Sequence, residues 1–434
     1  MKYYSTNHNA PEASLRVAVE RGLAPDRGLY MPEQIKQLPR EFFEHIDEMS
    51  FQELSLEVAK AFFGDDVEPD ALKHIVYDTL SFDTPVVKVA DNIYALELFH
   101  GPTLAFKDVG ARFMARLLQY FLKKENNGSE VNVLVATSGD TGSAVANGFL
   151  GVDGIKVYVL YPKGKVSPIQ ECQFTTLGKN ITAIEVDGVF DDCQALVKSA
   201  FMDADLNAHM KLTSANSINV ARFLPQAFYY FYAYAQMKKQ GKADQMVMCV
   251  PSGNFGNICA ALFGHRMGLP IKRFVAANNA NDIFYNYLQT GKYNPQPSKA
   301  TLANAMDVGD PSNFARIYDL YKGDHKAITS LISGATYKDE QIRDTMRQCH
   351  KETGYVLDPH GACGYQALKD LLQPGEYGVF CETAHPAKFK EKVDDILSTD
   401  IEIPARLQAF MKGTKQSVEM SKDFADFKAY LLKQ

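Results

Sequence analysis

A lysine stands where a cation is costly. Lys107 lies in HGPTLAFKDVGARF, between Phe106 and Asp108, just after an almost uncharged stretch. Among apolar neighbours a lysine costs desolvation energy unless it is paired, neutral or used covalently. Pro102 can open a helix that continues through KDVGARFMARLLQYFLKK. Val109, Phe113, Leu117 and Phe121 then lie four apart on one face, and Lys123 and Lys124 suit its C-terminal end. Lys107 falls near the start of that helix, where the dipole also disfavours an ammonium, so both influences favour the neutral amine. A surface lysine paired with Asp108 is the plainer reading of this segment taken alone.

Two glycine-containing runs supply the second ingredient. PSGNFGN (251–257) follows a strand-like run and opens a helical one. Gly253, Asn254, Phe255, Gly256 and Asn257 can present backbone N–H groups to an anion there, helped by the helix N-terminus. The run lacks the Lys-Ser/Thr ending of a P-loop and the G-x-G-x-x-G spacing. It reads as a phosphate cradle for a small cofactor, or as a plain tight turn. ATSGDTGSA (136–144) repeats the strand-turn-helix pattern with hydroxyls at Thr137, Ser138, Thr141 and Ser143. It can hold a second anion, or Ser138, Asp140 or Thr141 simply caps the helix. Open α/β sheets bind ligands outside the carboxyl ends of their strands, where both loops fall. A neutral lysine amine with a phosphate cradle suits covalent binding of pyridoxal phosphate.

The elements that position these groups follow from the wider pattern. The chain has 434 residues, room for roughly two to three domains at about 150 each. Residues 1–82 read as a helical N-terminal domain, with EASLRVAVERGL and FQELSLEVAKAFFG as helices and Gly64 as the C′ residue of the second. Beyond Pro85, short Val/Ile/Leu-rich runs (VNVLVAT, GIKVYVLYP, NITAIEVDG, QMVMCVP, IKRFVAA, EYGVFCETA) alternate with helical stretches. That alternation predicts an α/β fold with two open, mostly parallel domains: a large one from 83–110 with 236–434, and a small one from 111–235. Residues 291–313 form a long Pro/Asn/Gly-rich connection of the functional kind. The aromatic helix QAFYYFYAYAQMKK (226–239) reads as core, with a subunit interface as the alternative.

Net charge is -6 with 46% hydrophobic residues, which excludes a basic nucleic-acid face. No apolar run reaches the roughly 18 residues of a membrane span, and the start has no signal-peptide core. Seven scattered cysteines without a C-x-x-C read as reduced thiols, with no metal site. The expected location is the cytoplasm, and the expected partners are a small-molecule substrate with neither nucleic acid nor membrane.

Lys107 within HGPTLAFKD, together with ATSGDTGSA and PSGNFGN, resembles the threonine synthase family, pyridoxal-phosphate enzymes of the tryptophan synthase β-like fold. GLAPDRGLYMP (22–32), YPKGKVSPIQ (161–170), SANSINVARFLPQ (214–226), TLANAMDVGDPSN (301–313) and TAHPAKF (383–389) are similar to family blocks and stand in family order. The resemblance covers nearly the whole chain. It implies that the cofactor lies in the cleft between the two α/β domains and that the protein is a monomer or homodimer. It implies that Lys107 bonds to the cofactor and later moves protons. Gly253, Asn254, Phe255, Gly256 and Asn257 would hold the cofactor phosphate, and Thr383 would give its hydroxyl to the pyridine nitrogen. Ser138, Gly139 and Thr141 are candidates for one substrate anion, Asn219 and Arg222 for another, with Lys163 and Lys165 as possible helpers. The implied reaction turns O-phospho-L-homoserine and water into L-threonine and phosphate. A related phospho-lyase giving 2-oxobutyrate, or a non-catalytic binder of the cofactor or a metabolite, would share these motifs. Asp140 stands where many relatives in the wider fold carry Asn. An ionised aspartate cannot donate to the cofactor's phenolic oxygen; Asp is the usual residue in this family, and His100 is a weaker candidate for that contact.

Overall fold

A computed structural model describes all 434 residues. The chain forms two compact units. Unit 1 comprises Met1, Met31–Phe106 and Phe223–Glu402; unit 2 comprises Lys2–Tyr30, Lys107–Arg222 and Ile403–Gln434. The first 82 residues contribute to both units, and the C-terminal segment joins unit 2. The cause is pairing. Strands β1 (Lys2–Ser5) and β2 (Ala13–Ser14) are antiparallel within unit 2, and Val19 O accepts from both Thr213 Oγ1 (3.1 Å) and Asn219 Nδ2 (2.9 Å). Strand β3 (Tyr30–Pro32) ends that N-terminal stretch.

Unit 1 is built on a six-stranded sheet. Its order is β12 (Ile332–Thr336), β11 (Arg273–Asn278), β10 (Met246–Pro251), β13 (Tyr377–Glu382), β5 (Ile93–Glu97) and β4 (Val86–Ala90). All neighbours are parallel except the β4–β5 pair at the edge, which bulges between Lys88 and Ala90. Every residue of β10 is buried, as expected of an uncharged strand covered on both faces. In register, Cys249 lies opposite Val275 on one side and Phe380 on the other. Glu376, just before β13, is gripped by Arg273 (Nη2 2.7 Å, Nε 3.1 Å) and Lys272 (2.9 Å), which hold its carboxyl down at about 2. The helix Ala227–Lys239 buries Phe228, Tyr229, Tyr230 and Phe231, the core role expected of it.

Unit 2 carries a five-stranded, all-parallel sheet in the order β14 (Val418–Ser421), β8 (Ile181–Asp187), β7 (Ile155–Pro162), β6 (Val131–Ala136) and β9 (Lys211–Ser214). The expected strands from sequence correspond to six of the eleven in the two sheets. The helix expected from Pro102 runs instead from Lys107 to Glu125. Leu104 takes a left-handed φ of 60°, and residues 104–106 bond to 383–385 in strand fashion (Phe106 N to Thr383 O, 2.8 Å; His385 N to Leu104 O, 3.0 Å). A helix cannot start until that pairing ends. Its buried face is the expected one: Val109, Phe113, Leu117 and Phe121. Gly64 ends its helix as expected, in the right-handed conformation (φ −64°). No helix is long and apolar enough to cross a membrane.

Candidate active site

In unit 1 the chain leaves β10 at Pro251 and enters the helix Gly256–Arg266 through residues 252–255. Phe255 sits at the helix N-cap in the left-handed conformation (φ 67°), a costly state for a residue with a Cβ, and its ring packs on Phe284 with centroids 4.6 Å apart. Asn257 locks the turn: its Nδ2 donates to Pro251 O (2.9 Å), and its Oδ1 accepts from Ser252 Oγ (2.9 Å) and Ile258 N (2.9 Å). Tyr230 adds a bond to Asn257 O (2.9 Å). The side chains are thereby consumed in shaping the loop. What the loop offers is backbone N–H groups of a helix start, which lack intrahelical acceptors. Gly253 has to be glycine, because a Cβ would lie 2.8 Å from Ala305 O and 2.9 Å from Met306 Cα. The buried Asn254 Oδ1 has no partner within the protein. A loop of backbone donors with no room for a side chain at 253 fits the phosphate end of pyridoxal phosphate.

Thr383 follows β13 directly and is buried at 7% exposure. Its carbonyl takes Phe106 N–H, and Phe106 O takes the Tyr229 hydroxyl. The residue preceding Lys107 is thus fixed to the residue expected at the pyridine nitrogen. Lys388 Nζ, wholly buried, donates to Thr103 O (2.8 Å) in the same HGPTLAF segment. His385 is half-buried and neutral: desolvation first, then the neighbouring His100, pushes it down to about 4, and its Nδ1 accepts from Ala387 N (3.0 Å). His100 bonds to Glu97 (3.0 Å).

In unit 2 Lys107 is the first residue of its helix, and its Nζ donates to Thr141 Oγ1 at 2.7 Å. The lysine therefore meets the second glycine loop. That loop opens the helix Asp140–Phe149 with Gly139 at the N-cap (φ 145°), so the expected Ser138, Asp140 or Thr141 cap is replaced by glycine without a side-chain cap bond. Thr137 Oγ1 takes both Gly139 N (2.9 Å) and Gly142 N (2.8 Å). A Cβ at 139 would lie 2.5 Å from the Gln170 amide, whose Nε2 donates to Asp140 (2.9 Å). Asp140 is thus a buried acceptor, and Gln170 is a wall of the loop that no motif announced. Ser138 is half-buried beside them.

Asn219 and Arg222 stand apart from that group in role. Asn219 spends its amide on Val19 O (2.9 Å) and Ser214 O (3.0 Å), and its Oδ1 takes Ala221 N (3.0 Å). Arg222 is 1% exposed, and its Nη1 donates to Ala215 O. Lys163 and Lys165 are exposed on the turn after β7. No cluster of His, Cys, Asp and Glu is placed to hold a metal ion.

Comparison with known proteins places these features. A family model described as pyridoxal-phosphate dependent enzyme matches residues 79–379; threonine synthase N-terminal and C-terminal models match 2–80 and 361–431. The chain is 46% identical to threonine synthase of Haemophilus influenzae and 42% identical to that of Escherichia coli, covering 100% of this chain and at least 99% of each relative. The crystal structure of the Escherichia coli threonine synthase superposes with a TM-score of 0.93 over 100% of both chains. A PLP-bound threonine synthase from Brucella melitensis, 33% identical, gives 0.92 over 100% of this chain and 99% of that one. Maize serine racemase, 14% identical with a TM-score of 0.54 over 82% of this chain and 96% of that one, shares the fold alone. With a lysine bonded to a hydroxyl-bearing loop, a turn of backbone donors and full-length identity of this order, the chain belongs to the threonine synthase family of pyridoxal-phosphate enzymes.

Proposed function

We propose that this chain converts O-phospho-L-homoserine and water to L-threonine and inorganic phosphate, the closing step of threonine biosynthesis. The observation that carries the reading is the Lys107–Thr141 contact, which fixes one amine on the loop proposed for the substrate. When bound, the cofactor supplies an electron sink that makes protons at the substrate's α and β carbons removable. Lys107 would hold the cofactor covalently, and its amine, when free, would be the base for the α-proton and then a β-proton. Phosphate departs from Cγ with the C–O electron pair, a proton is placed at Cγ, water adds at Cβ, and a proton returns to Cα. A single positioned amine serves these transfers in turn.

Gly253, Asn254, Phe255, Gly256 and Asn257 hold the cofactor phosphate in this reading, through N–H groups that Asn257 and Ser252 orient. Thr383 gives a neutral hydroxyl to the pyridine nitrogen, which tempers the sink relative to a carboxylate partner. Ser138 and Thr141 receive one substrate anion through their hydroxyls, and Gly139, whose N–H is spent on Thr137, gives the loop its close approach to Gln170. Arg222 is assigned to the other, since a planar guanidinium suits the bidentate grip of a phosphate or carboxylate. Asn219 enters by holding the turn before Arg222, whose N–H bonds to Asn219 O (2.9 Å). We place the protein in the cytoplasm, a setting that suits its seven free thiols.

The test is product stoichiometry. Protein with pyridoxal phosphate and O-phospho-L-homoserine is assayed together for phosphate, threonine and 2-oxobutyrate. Threonine equal to phosphate is expected. Phosphate with 2-oxobutyrate would make the enzyme a lyase, and no phosphate release would overturn the substrate assignment.

A further inference from the structure

We propose that the buried His360–Asp358 pair is a positioning device for the cofactor-phosphate loop, acting through segment 301–313. The inference rests on the reading above that Gly253–Asn257 hold the cofactor phosphate. All the groups involved lie in unit 1.

His360 is 2% exposed and Asp358 is fully buried. Asp358 caps the helix Pro359–Leu371, its carboxylate taking Gly361 N (2.8 Å) and His360 N (3.1 Å). The same carboxylate lies 2.5 Å from His360 Nδ1. A carboxylate there requires the proton on Nδ1, which leaves Nε2 as an acceptor. Nε2 lies 3.1 Å from Ala305 N, so the backbone donates to the ring. The tautomer follows from these two partners. Ala305 is the residue whose carbonyl presses on Gly253, with Met306 beside it. Eight residues on, Asn313 N donates to Asn254 O (3.1 Å). Segment 301–313 therefore bears on two successive residues of the phosphate loop. Its turn is tied by Asp307, which takes Thr301 N (3.0 Å), Thr301 Oγ1 (2.7 Å) and Asn279 Nδ2 (2.9 Å).

The other side of the pair is equally constrained. Gly361 packs so closely on the Glu382 carboxyl that no side chain fits at 361. Glu382 ends β13 and immediately precedes Thr383. One short stretch, 358–361, thus abuts both the segment that shapes the phosphate loop and the strand end that carries the proposed pyridine-nitrogen partner. Donors at a phosphate must be held within a fraction of an ångström, and a ring with a locked tautomer holds Ala305 more rigidly than a solvent-exposed loop bond can.

The readout is cofactor discrimination, measured by equilibrium dialysis of the full chain with pyridoxal phosphate and with pyridoxal, which lacks the phosphate. His360→Leu removes the acceptor; in His360→Gln the side-chain Oε1 replaces Nε2. His360→Leu is expected to lower the preference for the phosphorylated form about tenfold, the scale of one lost buried contact, and His360→Gln to restore it to within about threefold of the parent. An unchanged preference in His360→Leu, or equal losses for both ligands, would overturn the inference. If the unaltered chain itself shows no preference for pyridoxal phosphate, the phosphate-loop reading fails instead. Where His360→Leu does not fold, His360→Asn takes its place, keeping a polar group toward Asp358 and none within reach of Ala305.

Discussion

Loop 251–257 in unit 1 and loop 136–144 in unit 2 both carry the chain from the carboxyl end of an interior parallel strand into a helix. They spend their polar groups in opposite ways. In the first, the Asn257 side chain bonds to the Ser252 hydroxyl and to Pro251 O, so side chains build the turn and backbone donors remain for a ligand. In the second, Thr137 consumes the N–H groups of Gly139 and Gly142, and what the loop presents is hydroxyls, one already against Lys107. A rigid array of backbone donors suits an anion that stays, the cofactor phosphate. Hydroxyls beside a mobile amine suit a substrate that arrives, reacts and leaves. Strand-turn-helix is a common frame; which groups it leaves unspent decides its use.

The strongest way to break this contrast is at the amine. Lys107→Ala is expected to lower kcat by about 10³-fold or more while secondary structure is retained, because no neighbour on that loop replaces a proton-moving amine; steady-state kinetics and circular dichroism check both halves. Next, Asn257→Ala unlocks the first loop. Pyridoxal phosphate should bind roughly 10- to 100-fold more weakly, the range for losing buried hydrogen bonds of about 1–3 kcal/mol, and dialysis reads it directly. A smaller effect belongs to Thr141→Val, which removes the acceptor of Lys107 Nζ but keeps the volume. Roughly tenfold in kcat/KM is expected, with cofactor affinity little changed. A large loss of cofactor affinity in Thr141→Val would blur the division between the loops.

The smallest effects are in the pH dependence of stability. Burial pushes Asp307 up to about 6, against the hydrogen bonds from Thr301 that oppose it. A carboxyl with a raised folded pKa binds more protons folded than unfolded, so it favours the fold as pH falls toward 4 and disfavours it above about 6. His385, lowered to about 4, has the opposite sign: it supports the fold above the unfolded histidine value and loses that support as pH falls through 4. Urea midpoints between pH 5 and 7.5 should therefore climb more with pH in Asp307→Asn than in the parent, and less in His385→Asn.

Much of this was legible in sequence, and the boundary has physical causes. Strands β6, β7, β8, β10, β11 and β13 are predominantly apolar runs long enough to announce themselves. β9 (KLTS) and β14 (VEMS) are short and mixed, and exist because β6 and β8 offer partners. Lys107 and both loops were visible as local composition next to helix starts. Gln170, Tyr230 and His360 were not, since each acts on a residue 27 to 55 positions away and none sits in a recognisable spacing. The helix start at Lys107 was misplaced for the same reason: what delays it is pairing with residues 383–385.

The claim that the two loops divide the labour is tested most directly by exchanging the injury. Cofactor Kd and the KM for O-phospho-L-homoserine are measured for Gly253→Ala and Gly139→Ala. A Cβ at 253 strikes Ala305 and Met306; one at 139 strikes Gln170. The account predicts a crossed result, with Gly253→Ala raising the cofactor Kd about tenfold or more and Gly139→Ala raising KM by a similar factor, each leaving the other constant within about threefold. Parallel losses of both constants in both variants, or the reverse pairing, would contradict it.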